Sequence, residues 1–221
     1  NEPNNSIELS MAFGINDSVT GQLGYMQNEI TDDVDWYKVT TPDDGVLSFD
    51  VICESTLRVN TLVIVDKDMT NNVTSGSWGG IASVSHPFLT AGTYYLYVPI
   101  YDGYGSYVIK STFTPARLPS DSYNNDSVSV AQEIPLNDSI TGRIHYRDNG
   151  AFDDVDWFKT TIPDDGALTF WVKEDSTGRV NTLVMYDKDM KTQVAGGSWG
   201  YTASVGYNNL TAGTYYLYVP H

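Results

Sequence analysis

The chain of 221 residues contains 28 acidic residues (Asp plus Glu) and 12 basic residues (Lys plus Arg), which gives a formal net charge of −16. This balance excludes a partner held through a phosphate backbone, because nucleic-acid binding relies on clustered basic side chains. A hydrophobic content of 41% excludes a disordered composition, and no apolar run approaches the about 18 residues of a membrane-spanning helix.

Short strands separated by turns are predicted along the first half of the chain. The predicted strands are 19–23, 36–40, 46–51, 62–65, 94–98 and 106–113. Residues 46–51 alternate between apolar and polar side chains after a Pro-Asp-Asp-Gly turn, which indicates a strand with one buried face. No segment shows a sustained period of 3.6 residues, so the pattern predicts an all-β sandwich.

The second half of the chain repeats the first half at an offset of 121 positions. Without a gap, residues 16–99 match residues 137–220 at 52 of 84 positions. The chain is therefore interpreted as a tandem duplication of one module, and any function has to be assigned per module.

Two linked modules are expected from this duplication. The predicted boundaries are 1–113 for the first module, 114–121 for the linker and 122–221 for the second module. The second module ends before any counterpart of residues 101–113, so we expect it to expose an unpaired sheet edge. A longer parent chain or another molecule would then supply the missing strand.

An acidic motif stands at the same place in both modules. Asp32, Asp33 and Asp35 precede a predicted strand, and the same three acids recur at the repeat offset. Three carboxylates within four positions repel one another unless water or a cation relieves them. For one isolated copy a solvated acidic loop is the natural interpretation. The repetition favours a calcium site, because calcium takes hard oxygen ligands.

Further features stand in a fixed order along the first module. They are Glu2-Pro3-Asn4-Asn5, the turn at 42–45, Ala91-Gly92-Thr93-Tyr94-Tyr95-Leu96, and the ending Tyr104-Gly105-Ser106-Tyr107. Together with the acidic motif they resemble the bacterial pre-peptidase C-terminal domain family, over module one and over module two up to its end. The resemblance implies a jelly-roll-like antiparallel β-sandwich that is not catalytic. Such domains are usually appended to secreted hydrolases and other extracellular proteins.

The resemblance also implies a set of calcium ligands, because related collagenase modules bind calcium through an N-terminal acid/Asn segment and a paired-Asp loop. In module one the pattern falls on Glu2, Asn4, Asn5, Asp32 and Asp35. In module two it falls on Asn125, Asp126, Asp153 and Asp156. Tyr123 stands at the position of Glu2, which removes one charged ligand, although Asp121 is close enough in sequence to substitute. The related modules bind collagen on a sheet face.

Aromatic residues suggest a contact surface in both modules. Trp78 and Trp199 sit in matching Gly/Ser segments, where each either folds back over its sandwich or stays exposed to contact a sugar or a protein. Strand alternation places Tyr95 and Tyr97 on the face opposite Tyr94. The second module repeats the pair as Tyr216 and Tyr218. These tyrosines either form a binding face or stabilise the sheet through cross-strand pairs.

The other reactive residue types give weaker signals. His86, His145 and His221 have no counterparts across the repeat and no metal-ligand spacing, so they are interpreted as incidental. Cys53 is the one cysteine and is interpreted as a bystander. The Asp-Lys-Asp segments that begin at Asp66 and at its repeat counterpart are expected to form ordinary turns, because they lack the glycine and distal glutamate of an EF-hand.

The sequence thus predicts two calcium-assisted, non-catalytic modules of an extracellular protein. One hypothesis is an assembly role through self-association, as the repeating unit of a surface layer or filament. The alternative is an accessory binding module that attaches a secreted hydrolase to a glycan or a fibrous protein. An enzyme is not expected, because the paired acids lie in one short loop rather than across a cleft.

Overall fold

The fold is all-β. The computed structural model describes residues 4–27, 30–54, 56–116, 125–148, 150–174 and 179–221. Within these ranges the helical elements are two single turns of 3₁₀-helix, Ile7–Leu9 and Val128–Val130. No helix in them has the length and apolar character that a membrane crossing requires. The predicted all-β, largely antiparallel sandwich class is confirmed.

Contacts divide the chain into two compact units. Unit 1 comprises Asn1–Ala116 with Arg147–Ala151, and unit 2 comprises Arg117–Tyr146 with Phe152–His221. The predicted linker overlaps the end of a strand of unit 1 that runs from Gly105 to Pro115. Residues 117–121 of that linker lie outside the described residues.

Twenty-one strands are described. The first twelve are β1 (Met11–Ala12), β2 (Ser18–Leu23), β3 (Met26–Gln27), β4 (Ile30–Thr31), β5 (Val34–Thr41), β6 (Gly45–Cys53), β7 (Arg58–Val59), β8 (Val63–Val65), β9 (Asn72–Ser75), β10 (Ile81–Leu89), β11 (Gly92–Asp102) and β12 (Gly105–Pro115). The others are β13 (Gln132–Glu133), β14 (Arg147–Asp148), β15 (Ala151–Phe152), β16 (Val155–Ile162), β17 (Gly166–Lys173), β18 (Val184–Tyr186), β19 (Gln193–Gly196), β20 (Thr202–Leu210) and β21 (Gly213–Pro220).

Unit 1 is a sandwich of two sheets. One sheet has the order β1-β5-β11-β8-β9, in which β1 runs parallel to β5, and the other contains the order β10-β6-β12-β2. Inward side chains alternate with outward ones along β5, so that Tyr37 and Val39 are buried. They pack with Phe49 of β6 and Leu96 of β11 in one apolar cluster. The core therefore lies between the sheets.

The predicted strand 106–113, the last one of the first module, lies inside its sheet as β12. β12 pairs with β6 along one side and with β2 along the other. In unit 2 one sheet has the matching order β13-β16-β21-β18-β19, but the described part of the second sheet contains only β17 and β20. Residues 139–144, the counterparts of β2, form no strand, although Ile140 and Ile144 pack against the core. In unit 1, β2 forms its backbone hydrogen bonds with β12. The described residues of unit 2 contain no counterpart of β12, so residues 139–144 have no strand with which to pair.

One long strand, β10, was not predicted from the sequence. Its burial alternates through Ala82, Val84 and His86, but the intervening residues are serines and the strand contains Pro87. The register against β6 shifts between His86 and Leu89, which is the irregularity at which a strand tolerates proline. A weakly apolar pattern with an internal proline therefore hid a strand that forms part of the core.

Candidate metal sites and contact surface

The first residues of unit 1 are bonded to the start of β5. The Trp36 backbone N–H donates to the Asn4 carbonyl oxygen at 2.8 Å, and the Asn4 side-chain amide donates back to the Trp36 carbonyl oxygen at 3.4 Å. The Asn5 side-chain amide donates to Asp32 Oδ1 at 2.9 Å. These bonds bring three predicted ligand residues of unit 1 side by side at the acidic loop. Glu2, a further predicted ligand, lies outside the described residues.

The side-chain oxygen of Asn4 is a buried acceptor. Asn4 is almost fully buried, and within the described part of the chain its Oδ1 accepts no hydrogen bond. Burying such an acceptor without a partner costs about 1–3 kcal/mol. A cation bound at the acidic loop would satisfy this oxygen, so the donor set at the loop fits a hard metal ion.

Asp35 is also held from the core side. Its carboxyl group is fully buried and accepts a hydrogen bond from the Tyr107 hydroxyl, which lies 2.7 Å from the Tyr37 hydroxyl. Burial, together with the neighbouring Tyr37 and Asp35, raises the pKa of Tyr107 well above its ordinary value. The Tyr107 hydroxyl therefore stays protonated and keeps donating. This network positions Asp35 whether or not a cation is bound.

We expect Tyr107→Phe to lower the free energy of unfolding by about 1.5–3 kcal/mol, the range for hydrogen bonds to charged groups, because Asp35 loses a buried donor. Urea denaturation of the full chain measures the change. Tyr101→Phe is the matched control, since Tyr101 is exposed and its replacement should shift stability by less than about 0.5 kcal/mol. Equal effects of the two substitutions would show that the buried network contributes nothing.

The acidic loop of unit 2 has the same backbone hydrogen bond as the loop of unit 1, and it contains more acidic side chains. The Trp157 backbone N–H donates to the Asn125 carbonyl oxygen at 2.7 Å, as in unit 1. Asp126, Asp153 and Asp156 each offer a carboxylate oxygen, and these atoms lie within 4.8 Å of one another. Three acids this close repel one another unless a cation or protons neutralise them. Tyr123 and Asp121 lie outside the described residues.

The Asp-Lys-Asp segments use their first carboxylate locally. Asp66 accepts hydrogen bonds from the backbone N–H of Thr70 at 3.1 Å and from the Asn71 side chain at 2.9 Å. Burial alone would raise the pKa of Asp66, but these hydrogen bonds outweigh it and lower the pKa. Asp187 likewise accepts from the Lys191 backbone at 3.3 Å. Each carboxylate therefore stabilises its own turn.

The two predicted contact tryptophans occupy equivalent exposed positions. The side chains of Trp78 and Trp199 are 62% and 65% exposed, so neither is buried over the end of its sandwich. The Trp78 ring lies 5.6 Å from the ring of Tyr101, which is also exposed. Trp171 on β17 was not singled out from the sequence, yet it is 72% exposed.

The predicted tyrosine face is mostly engaged within its own sheet. Tyr97 packs on Trp36 with ring centroids 4.8 Å apart, and Tyr218 packs on Trp157 at 4.9 Å. Tyr95 is buried and Tyr216 is half-buried. These contacts are the cross-strand pairs of the alternative interpretation, so less of this face is available to a partner than an outward row of tyrosines would offer.

The structure brings together three residues that sequence spacing did not connect. His145 Nδ1 lies 2.7 Å from Asp154 Oδ1, and the rings of His145 and His221 stack with centroids 3.7 Å apart. Burial and the neighbouring His145 lower the pKa of His221, against an opposing effect of Asp154. The sequence signal was the position of His145, which corresponds to Gly24 across the repeat.

No protein-family model matches the chain, and no curated protein matches it. Among solved structures it is similar to the pre-peptidase C-terminal domain of a collagenase from Bacillus anthracis, with 23% identity and a TM-score of 0.38 over 47% of this chain and 94% of that one. It is also similar to the PBSX exported protein XepA, with 9% identity and a TM-score of 0.31 over 91% and 83% of the two chains. It is similar as well to a cycloisomaltooligosaccharide glucanotransferase from Paenibacillus sp., with 14% identity and a TM-score of 0.24 over 85% of this chain and 40% of that one. These values are too low to place the chain in a family.

Proposed function

We propose that the chain forms two non-catalytic, calcium-stabilised modules of an extracellular protein, and that an exposed tryptophan in each module contacts an extracellular polymer. The observation that carries this proposal is the equivalent exposure of Trp78 and Trp199. A large aromatic side chain left in water at the same place in two modules fits a contact role. This puts the accessory binding role ahead of the assembly role.

A repeating ligand is the partner that fits two equivalent contacts. Two linked modules that bind the same repeating polymer gain avidity, because the second contact becomes intramolecular. A glycan or a fibrous protein presents such repeats, and a planar indole stacks on a sugar face or packs on an extended chain. The net charge of −16 fits a partner that is not polyanionic.

Calcium is the ion that best fits the acidic loops. The residues around them offer carboxylate and amide oxygens, which are the hard ligands that calcium prefers. In unit 1 the ion would be held by Asn4, Asn5, Asp32 and Asp35, with Glu2 as a further candidate. In unit 2 it would be held by Asn125, Asp126, Asp153 and Asp156. A bound ion would fix the first residues of each module to the loop before its central strand, which suits a calcium-rich extracellular medium.

Trp78→Ala combined with Trp199→Ala tests the contact role. We expect sedimentation with insoluble cellulose, chitin or collagen fibrils to fall at least about tenfold, with a stability change below about 0.5 kcal/mol for each exposed side chain. Trp171→Ala is the matched control, because it removes an equally exposed tryptophan from a sheet face instead of a Gly/Ser loop.

Two results would contradict the contact role. One is retained polymer binding by the double variant, or no binding by the native chain to any of the three polymers. The other is a stability loss near the about 3–5 kcal/mol of a buried tryptophan, which would make these side chains core residues.

A second candidate function is assembly through self-association. In this role the exposed Trp78 and Trp199 would contact a second copy of the chain instead of a polymer. Sedimentation velocity across a concentration series tests this role, and a monomer at all concentrations would contradict it.

A further inference from the structure

The three residues His145, Asp154 and His221 form a cluster, here called the histidine cluster, that is separate from the proposed calcium ligands. Each residue offers one metal-ligand atom, and the three atoms lie within 4.8 Å of one another. The His145 and Asp154 side chains are 30% and 57% exposed, so an ion can reach them from solvent. The Phe152 ring also stacks on the His145 ring, with centroids 4.5 Å apart.

Backbone hydrogen bonds hold three separate stretches together at this cluster. The His145 N–H donates to the Asp153 carbonyl oxygen, and the His221 N–H donates to the Asp154 carbonyl oxygen at 2.9 Å. Unit 1 contains the same frame, since the N–H of Gly24 donates to the Asp32 carbonyl oxygen at 2.8 Å and that of Ile100 to Asp33 at 2.9 Å. The two units therefore share this pair of backbone hydrogen bonds, but they carry different side chains at the bonded positions.

The difference in side chains is informative at position 145. Gly24 has φ 80° and His145 has φ 66°, which is the left-handed region that glycine adopts without steric cost. A side chain at such a φ costs on the order of 1 kcal/mol. Unit 2 therefore carries an imidazole at a strained position where unit 1 has no side chain, and it places a second imidazole where unit 1 has Ile100. Strain of this kind is a reason to look for a function of the side chain.

We propose that the histidine cluster binds a divalent transition-metal ion such as Zn²⁺. Two imidazole nitrogens and one carboxylate oxygen form a ligand set that suits zinc, nickel or copper, whereas calcium takes oxygen ligands. A tetrahedral zinc ion with bonds of about 2.1 Å places its ligand atoms about 3.4 Å apart. The two imidazole rings are stacked and nearly parallel, so their in-plane nitrogen lone pairs lie side by side. Binding would therefore rotate both histidine side chains out of the stack until their nitrogens converge on the ion, with solvent completing the coordination. Among the described residues, unit 1 offers only Asp33 at the equivalent positions and lacks this ligand set.

Two variants separate metal binding from ring stacking. His145→Gly installs the residue that unit 1 uses at this φ, so the backbone is expected to keep its conformation. His221→Phe keeps an aromatic ring to stack on His145 but removes the nitrogen ligand. Asp189→Asn is the matched control, because it removes an exposed carboxylate of unit 2 that belongs to neither proposed metal site.

Isothermal titration of the full chain with Zn²⁺, in buffer containing calcium, measures the site. We expect one Zn²⁺ per chain with micromolar or tighter affinity, weakened at least about tenfold by His145→Gly and by His221→Phe and unchanged by Asp189→Asn. Bound Cu²⁺ should show hyperfine coupling to two nitrogens in its EPR spectrum, reduced to one nitrogen in each histidine variant. The proposal is overturned by no Zn²⁺ binding at 100-fold excess over an about micromolar protein concentration, by unchanged binding in both histidine variants, or by an equal loss of binding in Asp189→Asn.

Discussion

Removal of calcium by EGTA is expected to lower the melting temperature of the chain by about 10–20 °C. An ion that binds only the folded state adds RT ln(1 + [L]/Kd), which is about 2.7 kcal/mol at 100-fold Kd. For domains of about 100 residues, 1 kcal/mol corresponds to about 4–8 °C. The expected effect is large because each proposed ion would join the first residues of a module to the loop before its central strand. Differential scanning calorimetry with calcium and with EGTA measures it.

Single substitutions assign the calcium effect to each unit. Asp32→Asn should remove the calcium dependence of unit 1, and Asp153→Asn should remove that of unit 2. Asp33→Asn is the matched control, because Asp33 is exposed and is not a proposed ligand. Asp35 is a poorer choice, since its replacement also breaks the bond from Tyr107. Equal melting temperatures in calcium and in EGTA would show that the acidic loops hold no ion.

Replacing the phenylalanine at equivalent positions of the two units should lower the free energy of unfolding more in unit 1 than in unit 2. Phe49 is fully buried on β6, between Val84 of β10 and Ser111 of β12, and Phe49→Ala is expected to cost about 3–5 kcal/mol. Phe170 on β17 has only Val205 beside it among the described residues and is 6% exposed. Phe170→Ala should cost at least about 1 kcal/mol less, because a sheet with fewer strands relaxes more easily into the cavity.

An added strand provides the control for this comparison. A copy of residues 101–113 appended after His221 should raise the cost of Phe170→Ala towards that of Phe49→Ala. The appended chain needs His145→Gly, because a Cβ at the equivalent Gly24 would lie 2.4 Å from the Gly103 carbonyl oxygen. Urea denaturation measures each cost. Equal costs for the two phenylalanines without the added strand would show that β12 contributes nothing to the environment of Phe49.

Local patterns in the sequence predicted the strands whose side chains alternate clearly. Residues 46–51 and 94–98 fall within β6 and β11, because their inward positions are large and apolar. β10 was missed because serines and Pro87 weaken its pattern. The central position of β12 could not be predicted, since strand order depends on long-range pairing that no local pattern encodes.

The candidate sites also differ in how far they could be predicted from local sequence patterns. The acidic loops were predicted because their residues are neighbours in sequence and recur at a fixed offset. The link from Tyr107 to Asp35 joins residues 72 positions apart, and nothing in the sequence pairs them. The histidine cluster draws on three stretches that only backbone hydrogen bonds bring together. Comparison of Gly24 with His145 across the repeat gave the one available hint.

The strand pairs β5–β11 and β16–β21 have the same register, which creates a risk of misfolding. The sequences of residues 92–99 in β11 and of β21 are identical, and each pairs in the same alignment with β5 or β16. β5 and β16 differ at three positions, all of them inward: Tyr37/Phe158, Val39/Thr160 and Thr41/Ile162. During refolding β21 can therefore pair with β5 at little cost, which is the misassembly typical of similar neighbouring domains. Synthesis from the N-terminus reduces the hazard, because β11 is made 121 residues before β21 and can occupy β5 first.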